Sequence, residues 1–88
     1  MKHRTISRFW GCYNDLPKEV QQLADENYRL LLSNPRHHSL MFKKIGDLWS
    51  VRVGLHYRAL AVENGEDIVW VWIGTHADYD KLLMSRKP

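Results

Sequence analysis

Arg52 and Arg58 lie six residues apart, on either side of Gly54-Leu55-His56. If that segment is a three-residue loop, the two arginines face each other on one surface of a sheet; a two-residue loop would put them on opposite faces. Two facing guanidiniums repel, so their pairing calls for an anion nearby. A phosphodiester suits it, because the planar fork of arginine matches phosphate oxygens through two hydrogen bonds. The plain alternative is a solvated sheet face with scattered charge. Lys43-Lys44 adds positive charge shortly before Gly46. Neighbouring residues of a strand point to opposite faces, so at most one of them joins the arginines; Lys44 is taken as the better RNA contact. A strand-edge lysine that discourages aggregation is the plainer reading of either.

His76 follows an apolar run directly, in Gly74-Thr75-His76-Ala77-Asp78-Tyr79-Asp80. An imidazole at a strand end can give or take a proton near neutral pH. Asp78 or Asp80 can orient it, and Tyr79 offers a ring and a hydroxyl. A simpler account of the same segment has Thr75 capping a helix whose N-terminus favours the acidic residues, and the two accounts are compatible. His37-His38 lacks the spacing of a metal-binding helix, and Cys12 stands alone, which excludes a disulfide within the chain and a zinc site on paired cysteines. No metal site or cofactor is expected. Trp70 and Trp72 have the look of stacking platforms, although alternate aromatics in a small sheet more often fill a core.

These side chains need a sheet to hold them, and the patterning supplies one. Trp49-Ser50-Val51-Arg52-Val53 and Tyr57-Arg58-Ala59-Leu60-Ala61-Val62 alternate with the period of half-buried strands. Asn64-Gly65 is a strong hairpin signal leading into Ile68–Ile73. Leu40–Ile45 is a further candidate strand, Gly46-Asp47 a turn, and Lys2–Tyr13 has room for a short edge strand. Val20, Leu23, Ala24, Tyr28 and Leu31 fall at helical spacing between Pro17 and the stop at Asn34-Pro35. Asn14 or Asp15 can cap that helix, with Pro17 in its first turn. Ala77–Met84 can form a short terminal helix. The expected fold is α+β: a long N-terminal helix on a twisted antiparallel sheet of three to four strands, then a short C-terminal helix.

Eighty-eight residues make one domain spanning 1–88. Thirteen Lys and Arg against ten Asp and Glu leave a formal charge of +3, which mildly favours phosphate-bearing or acidic partners. The charged Lys2, His3 and Arg4 are not followed by a signal-peptide-like apolar stretch, and Ile68–Ile73 is too short to span a bilayer. A cytoplasmic protein without membrane contact is expected. No glycine-rich phosphate loop or nucleophile elbow occurs.

Taken in order, the helix ending in Asn34-Pro35, Phe42-Lys43-Lys44-Ile45, Trp49–Gly54, Tyr57–Val62 and Trp70–Asp80 resemble the RelE/ParE superfamily of type II toxin–antitoxin toxins, from about Phe9 to Leu83. The hairpin arginines and the Gly-Thr-His segment are the most specific parts. The resemblance implies a helix-on-sheet fold and an acidic antitoxin partner in a hetero-oligomer. In the RelE-like branch it implies cleavage of mRNA on the ribosome by attack of the ribose 2′-hydroxyl on the adjacent phosphate, with no metal required. Arg58 then matches the arginine that holds the scissile phosphate, and Arg52 a second phosphate contact. His76 matches a general acid or base, and Tyr79 a residue that positions or stacks a base. The ParE branch shares the scaffold and inhibits DNA gyrase instead; a non-catalytic member that only binds protein is the third possibility.

Overall fold

The computed structural model describes residues 2–85. In chain order it contains β1 (Lys2–Thr5), α1 (Ser7–Asn14), α2 (Lys18–Ser33), a 3-10 turn (His38–Leu40), β2 (Lys43–Ile45), β3 (Leu48–Val53), β4 (Tyr57–Asn64), β5 (Asp67–Thr75) and α3 (His76–Ser85). The sheet has five strands in the order β1-β5-β4-β3-β2. From β2 to β5 it is the expected antiparallel meander, while β1 pairs parallel with β5, Thr5 opposite Trp70. Among the described residues no helix is long and apolar enough to cross a membrane.

Expectations for the sheet and for the first helices need correction. The sheet is mixed and five-stranded, not an antiparallel sheet of three to four strands, because the edge strand anticipated near the N-terminus joins it in parallel. The long helix is also not the first one. Phe9, Cys12, Tyr13 and Leu16 recur at helical spacing and pack on the core, but Gly11 and the lack of a side-chain cap weaken the local signal of α1. Finally, neither Asn14 nor Asp15 caps α2. Pro17 takes the cap position without a side-chain hydrogen bond, and Gln21 Nε2 instead donates to the carbonyls of Tyr13 and Leu16, 3.0 and 3.3 Å away.

The first meander strand is shorter than Leu40–Ile45. Leu40 is wholly buried in the core, and Met41 adopts a left-handed conformation with φ 46°, which an extended strand cannot accommodate. Gly54 has φ 63°, and a β-carbon there would meet Leu23 Cδ2 at 2.6 Å. Glycine at this loop therefore serves both the backbone and the approach of α2.

The sheet buries both faces. On one, Val51, Val53, Ala59, Ala61, Ile68, Trp70 and Ile73 pack with Leu31 and Leu40 under α1 and α2. On the other, Leu48 and Leu60 meet Tyr79 of α3, with Trp72 and Val62 at the margin. A bulge decides where the two tryptophans go. Leu60 pairs with Trp72 but Ala61 with Trp70, leaving Val71 without a partner across the ladder. The extra residue sends Trp70 and Trp72 to opposite faces.

β1 is tied in by a side chain as well as by its backbone. The Trp70 indole N–H donates to His3 Nδ1 at 3.0 Å, and the two rings stack with centroids 6.0 Å apart. Burial lowers the His3 pKa from its ordinary 6.5. The folded state then binds fewer protons than the unfolded chain, so this contribution to stability is present above pH 6.5 and lost as pH falls through the lowered folded value. Urea denaturation should accordingly show stability dropping through the mildly acidic range. His3→Gln should reduce that slope; an unchanged slope would mean the dependence arises elsewhere.

Candidate functional site

The register settles the face of the arginines. Val53 pairs with Tyr57 and Arg52 with Arg58, so Gly54–His56 is a three-residue loop and the two guanidiniums rise from directly opposed positions. Residues so placed share a face with β-carbons about 4.5–5.5 Å apart. The face is the one carrying α3, since Val51, Val53, Ala59 and Ala61 alternate onto the other. Neither arginine meets a carboxylate among the described residues. Arg52 Nε donates to the Gly54 carbonyl at 3.0 Å and its Nη1 lies 3.6 Å from Met41 Sδ. Arg58 Nη1 donates to the Tyr57 carbonyl at 3.0 Å, with its guanidinium carbon 5.9 Å from the centre of the Tyr79 ring.

His76 starts α3 beside this pair. Its backbone N–H donates to the His56 carbonyl at 2.7 Å. Its Nδ1 lies 3.1 Å from Asp80 Oδ2, one helical turn on, which orients the ring and leaves Nε2 for chemistry. Thr75 Oγ1 accepts from the Asp78 N–H at 3.1 Å, so Thr75 caps the helix while Asp80 orients the histidine. Tyr79 stands between the two groups, its ring 5.7 Å from that of His76 and 5.9 Å from the Arg58 guanidinium carbon. Only 6% of Tyr79 is exposed. That leaves little of the ring open to a base and makes it a support on which Arg58 rests.

Lys44 is not brought to the arginines. It pairs with Trp49 across the ladder and reaches Glu63 Oε1 at 3.1 Å on the face covered by α1 and α2. Hydrogen bonds from the Trp49 indole and from Lys44 hold the Glu63 carboxyl below the usual carboxylate range. Lys43 is the lysine on the arginine face: it stands opposite Ser50, two residues before Arg52 on the same side of β3. The sequence had narrowed the choice to one of the pair, and only the strand register could make it.

Gly74 is a second residue whose place was not foreseen. It sits opposite Arg58, and a β-carbon there would lie 2.5 Å from Trp72 Cζ2. The missing side chain lets the indole lie along the sheet beside Arg58. Among the described residues no cluster of three or more His, Cys, Asp or Glu is arranged to hold a metal. An apolar cavity of about 270 Å³ lies beyond the sheet, among residues such as His3, Trp10, Tyr28 and Trp70. None of Arg52, Arg58 and His76 lines it. The polar cluster thus occupies an open sheet face, a shape suited to a polymer more than to an enclosed small molecule.

A family model described as a ParE-like toxin domain matches residues 18–81. The chain belongs to this toxin family, within the RelE/ParE superfamily. Solved structures agree on the fold. YafQ from E. coli strain BL21(DE3) superposes with a TM-score of 0.70 at 12% identity, covering 89% of this chain and 96% of its own. A chain of the RelB–RelE antitoxin–toxin complex from Methanococcus jannaschii gives 0.69 at 18%, covering 90% and 96%. The YoeB/ParE toxin from Agrobacterium tumefaciens gives 0.63 at 14%, covering 86% and 99%. No curated protein sequence matches this chain. Within the ParE-like scaffold, Gly74 marks where Trp72 and Arg58 come together. Gly74→Ala should destabilise the protein by about 1–3 kcal/mol through overpacking, measured by urea denaturation, and Trp72→Leu should relieve most of that cost. An undiminished cost in the double variant would show that the indole is not the obstacle.

Proposed function

We propose that this ParE-like toxin is a ribosome-dependent mRNA endonuclease that works without a metal, acts in the cytoplasm and is held in check by an acidic antitoxin in a hetero-oligomer. One observation carries the reading: Arg52 and Arg58 are set against each other on an open face, with no carboxylate among the described residues between them, at the side of a histidine oriented by Asp80. An RNA phosphate supplies the missing anion. Attack of the 2′-hydroxyl builds charge on the phosphate oxygens, which Arg58 stabilises from its seat on Tyr79. Arg52 and Lys43 hold neighbouring phosphates by charge. His76 moves a proton at Nε2, and Tyr79 keeps both groups in place. Lys44 contributes to the wider basic surface from the far face, where Glu63 already partners it. The net charge of +3 and the antitoxins in the solved RelB–RelE complexes support an acidic protein partner.

A second reading has one observation in its favour: the matching family model is described as ParE-like, the branch that inhibits DNA gyrase. Such an inhibitor needs no proton-transfer group. A member that only binds protein would need neither RNA nor gyrase.

Induced expression in a bacterial host with 5′-end mapping of transcripts separates these readings. New cuts within translated regions should appear with the parent protein. Arg58→Ala should fold normally and cut slower by roughly 10²–10³-fold, and His76→Ala by roughly 10²–10⁴-fold. Arg58→Lys should recover only part of the loss, because a lysine cannot make the paired contact. Growth arrest without cuts, accompanied by DNA damage and insensitive to His76→Ala, would replace this proposal with gyrase inhibition. Neither effect would favour the binding module.

A further inference from the structure

An in-line displacement by a 2′-hydroxyl needs a group that takes a proton and another that gives one. The site described so far places only His76 for either task. We propose that His56, at the end of the β3–β4 loop, is the second: it accepts the proton of the attacking 2′-hydroxyl while His76 donates to the departing 5′-oxygen. This rests on the ribonuclease reading above.

The position of His56 follows from the ladder. β4 and β5 pair Arg58 with Gly74 and Tyr57 with Thr75, so one step further His56 stands opposite His76. The 2.7 Å hydrogen bond from the His76 N–H to the His56 carbonyl closes that step. His56 is the last residue of the loop that joins the two arginine strands, two positions before Arg58 and directly before β4. The two histidines are therefore backbone neighbours at the loop end of the strands that carry the arginine pair.

The state of its ring is the second observation. His56 is exposed, and its imidazole makes no hydrogen bond or ion pair among the described residues. Of the other four histidines, His3 accepts from Trp70, His37 contacts Ser39, His76 meets Asp80, and His38 has its ring stacked on that of His37, far from this site in sequence and fold. Leu55 beside it is 71% exposed, but the carbonyl bond to α3 anchors the backbone at His56 itself. A free imidazole on an anchored backbone is what a proton acceptor for an incoming polymer requires. The charged and titratable groups on the elements that adjoin it are Arg58 of β4, Arg52 of β3, and His76, Asp78 and Asp80 of α3.

The step balances. The His56 ring nitrogen takes the 2′-hydroxyl proton as the 2′-oxygen bonds to phosphorus. The bond from phosphorus to the 5′-oxygen breaks, and that oxygen receives the proton from His76 Nε2. A 2′,3′-cyclic phosphate and a 5′-hydroxyl end result. Solvent then returns each imidazole to its starting state.

Single-turnover cleavage of ribosome-bound mRNA by the purified toxin tests this, with rates followed across the range in which imidazole titrates. The parent should give a bell-shaped profile. His56→Ala and His56→Gln should each lose roughly 10²–10⁴-fold in rate and lose the acidic limb, while thermal melting and mRNA binding stay as in the parent. An mRNA with sulfur in place of the 5′-oxygen at the cut site has a leaving group that needs no acid. It should restore His76→Ala and leave His56→Ala slow. A parent-like rate and profile in His56→Ala would overturn the proposal while leaving the nuclease reading intact, and sulfur rescue of His56→Ala would overturn its assignment as base. A parent protein that cuts no mRNA would remove the nuclease reading, and this proposal with it.

Discussion

Everything on the working face depends on the register between β3 and β4. Facing Arg52 against Arg58 is unfavourable in itself, since like charges directly opposed across a ladder repel. Packing overrides that cost. Val51, Val53, Ala59 and Ala61 are buried on the other side of the same strands, and a buried valine alone is worth about 1.5–3 kcal/mol. A slip of one residue would expose one strand's share of that core. The arginines oppose each other because the valines and alanines behind them must be inside. Gly54, in the left-handed region and against Leu23, makes the three-residue loop that this register needs.

The two sides of the sheet are consequently given to different tasks. α1 and α2 cover one side over a continuous apolar core. α3 covers only part of the other, through Tyr79, Leu82 and Leu83, and leaves the arginine end open. The helix cap by Thr75 and the contact of His76 with Asp80 arise from the same turn of chain. Stability and chemistry are not competing for that segment. The bulge at Val71 has a comparable double effect: it places Trp70 in the main core, bonded to His3, and turns Trp72 toward Gly74 and the working face.

Much of this architecture was legible in the sequence because its signals are local. Period-two alternation marked β3 and β4, Asn64-Gly65 marked the turn into β5, and helical spacing up to Asn34-Pro35 marked α2. The residues with chemical potential, Arg52, Arg58, His76 and Tyr79, could be named from type and order. α1 was missed because an eight-residue helix containing Gly11 and lacking a side-chain cap has little intrinsic stability and exists through packing. The parallel pairing of β1 was missed for a related reason, since contact between residues more than sixty positions apart leaves no local trace.

The sequence by itself determined the types of the elements from α2 onward, the family to which the chain belongs and the short list of polar residues, because periodicity, turn chemistry and motif order are written along the chain. Tertiary structure decided which of them meet. It chose Lys43 over Lys44, closed the ring of Tyr79 between Arg58 and His76, and brought His56 level with His76. These are outcomes of strand register, a bulge and a helix start, where a displacement of one residue moves a side chain to the opposite face. Such a choice belongs to the packing of the whole sheet, which no single segment of the chain encodes.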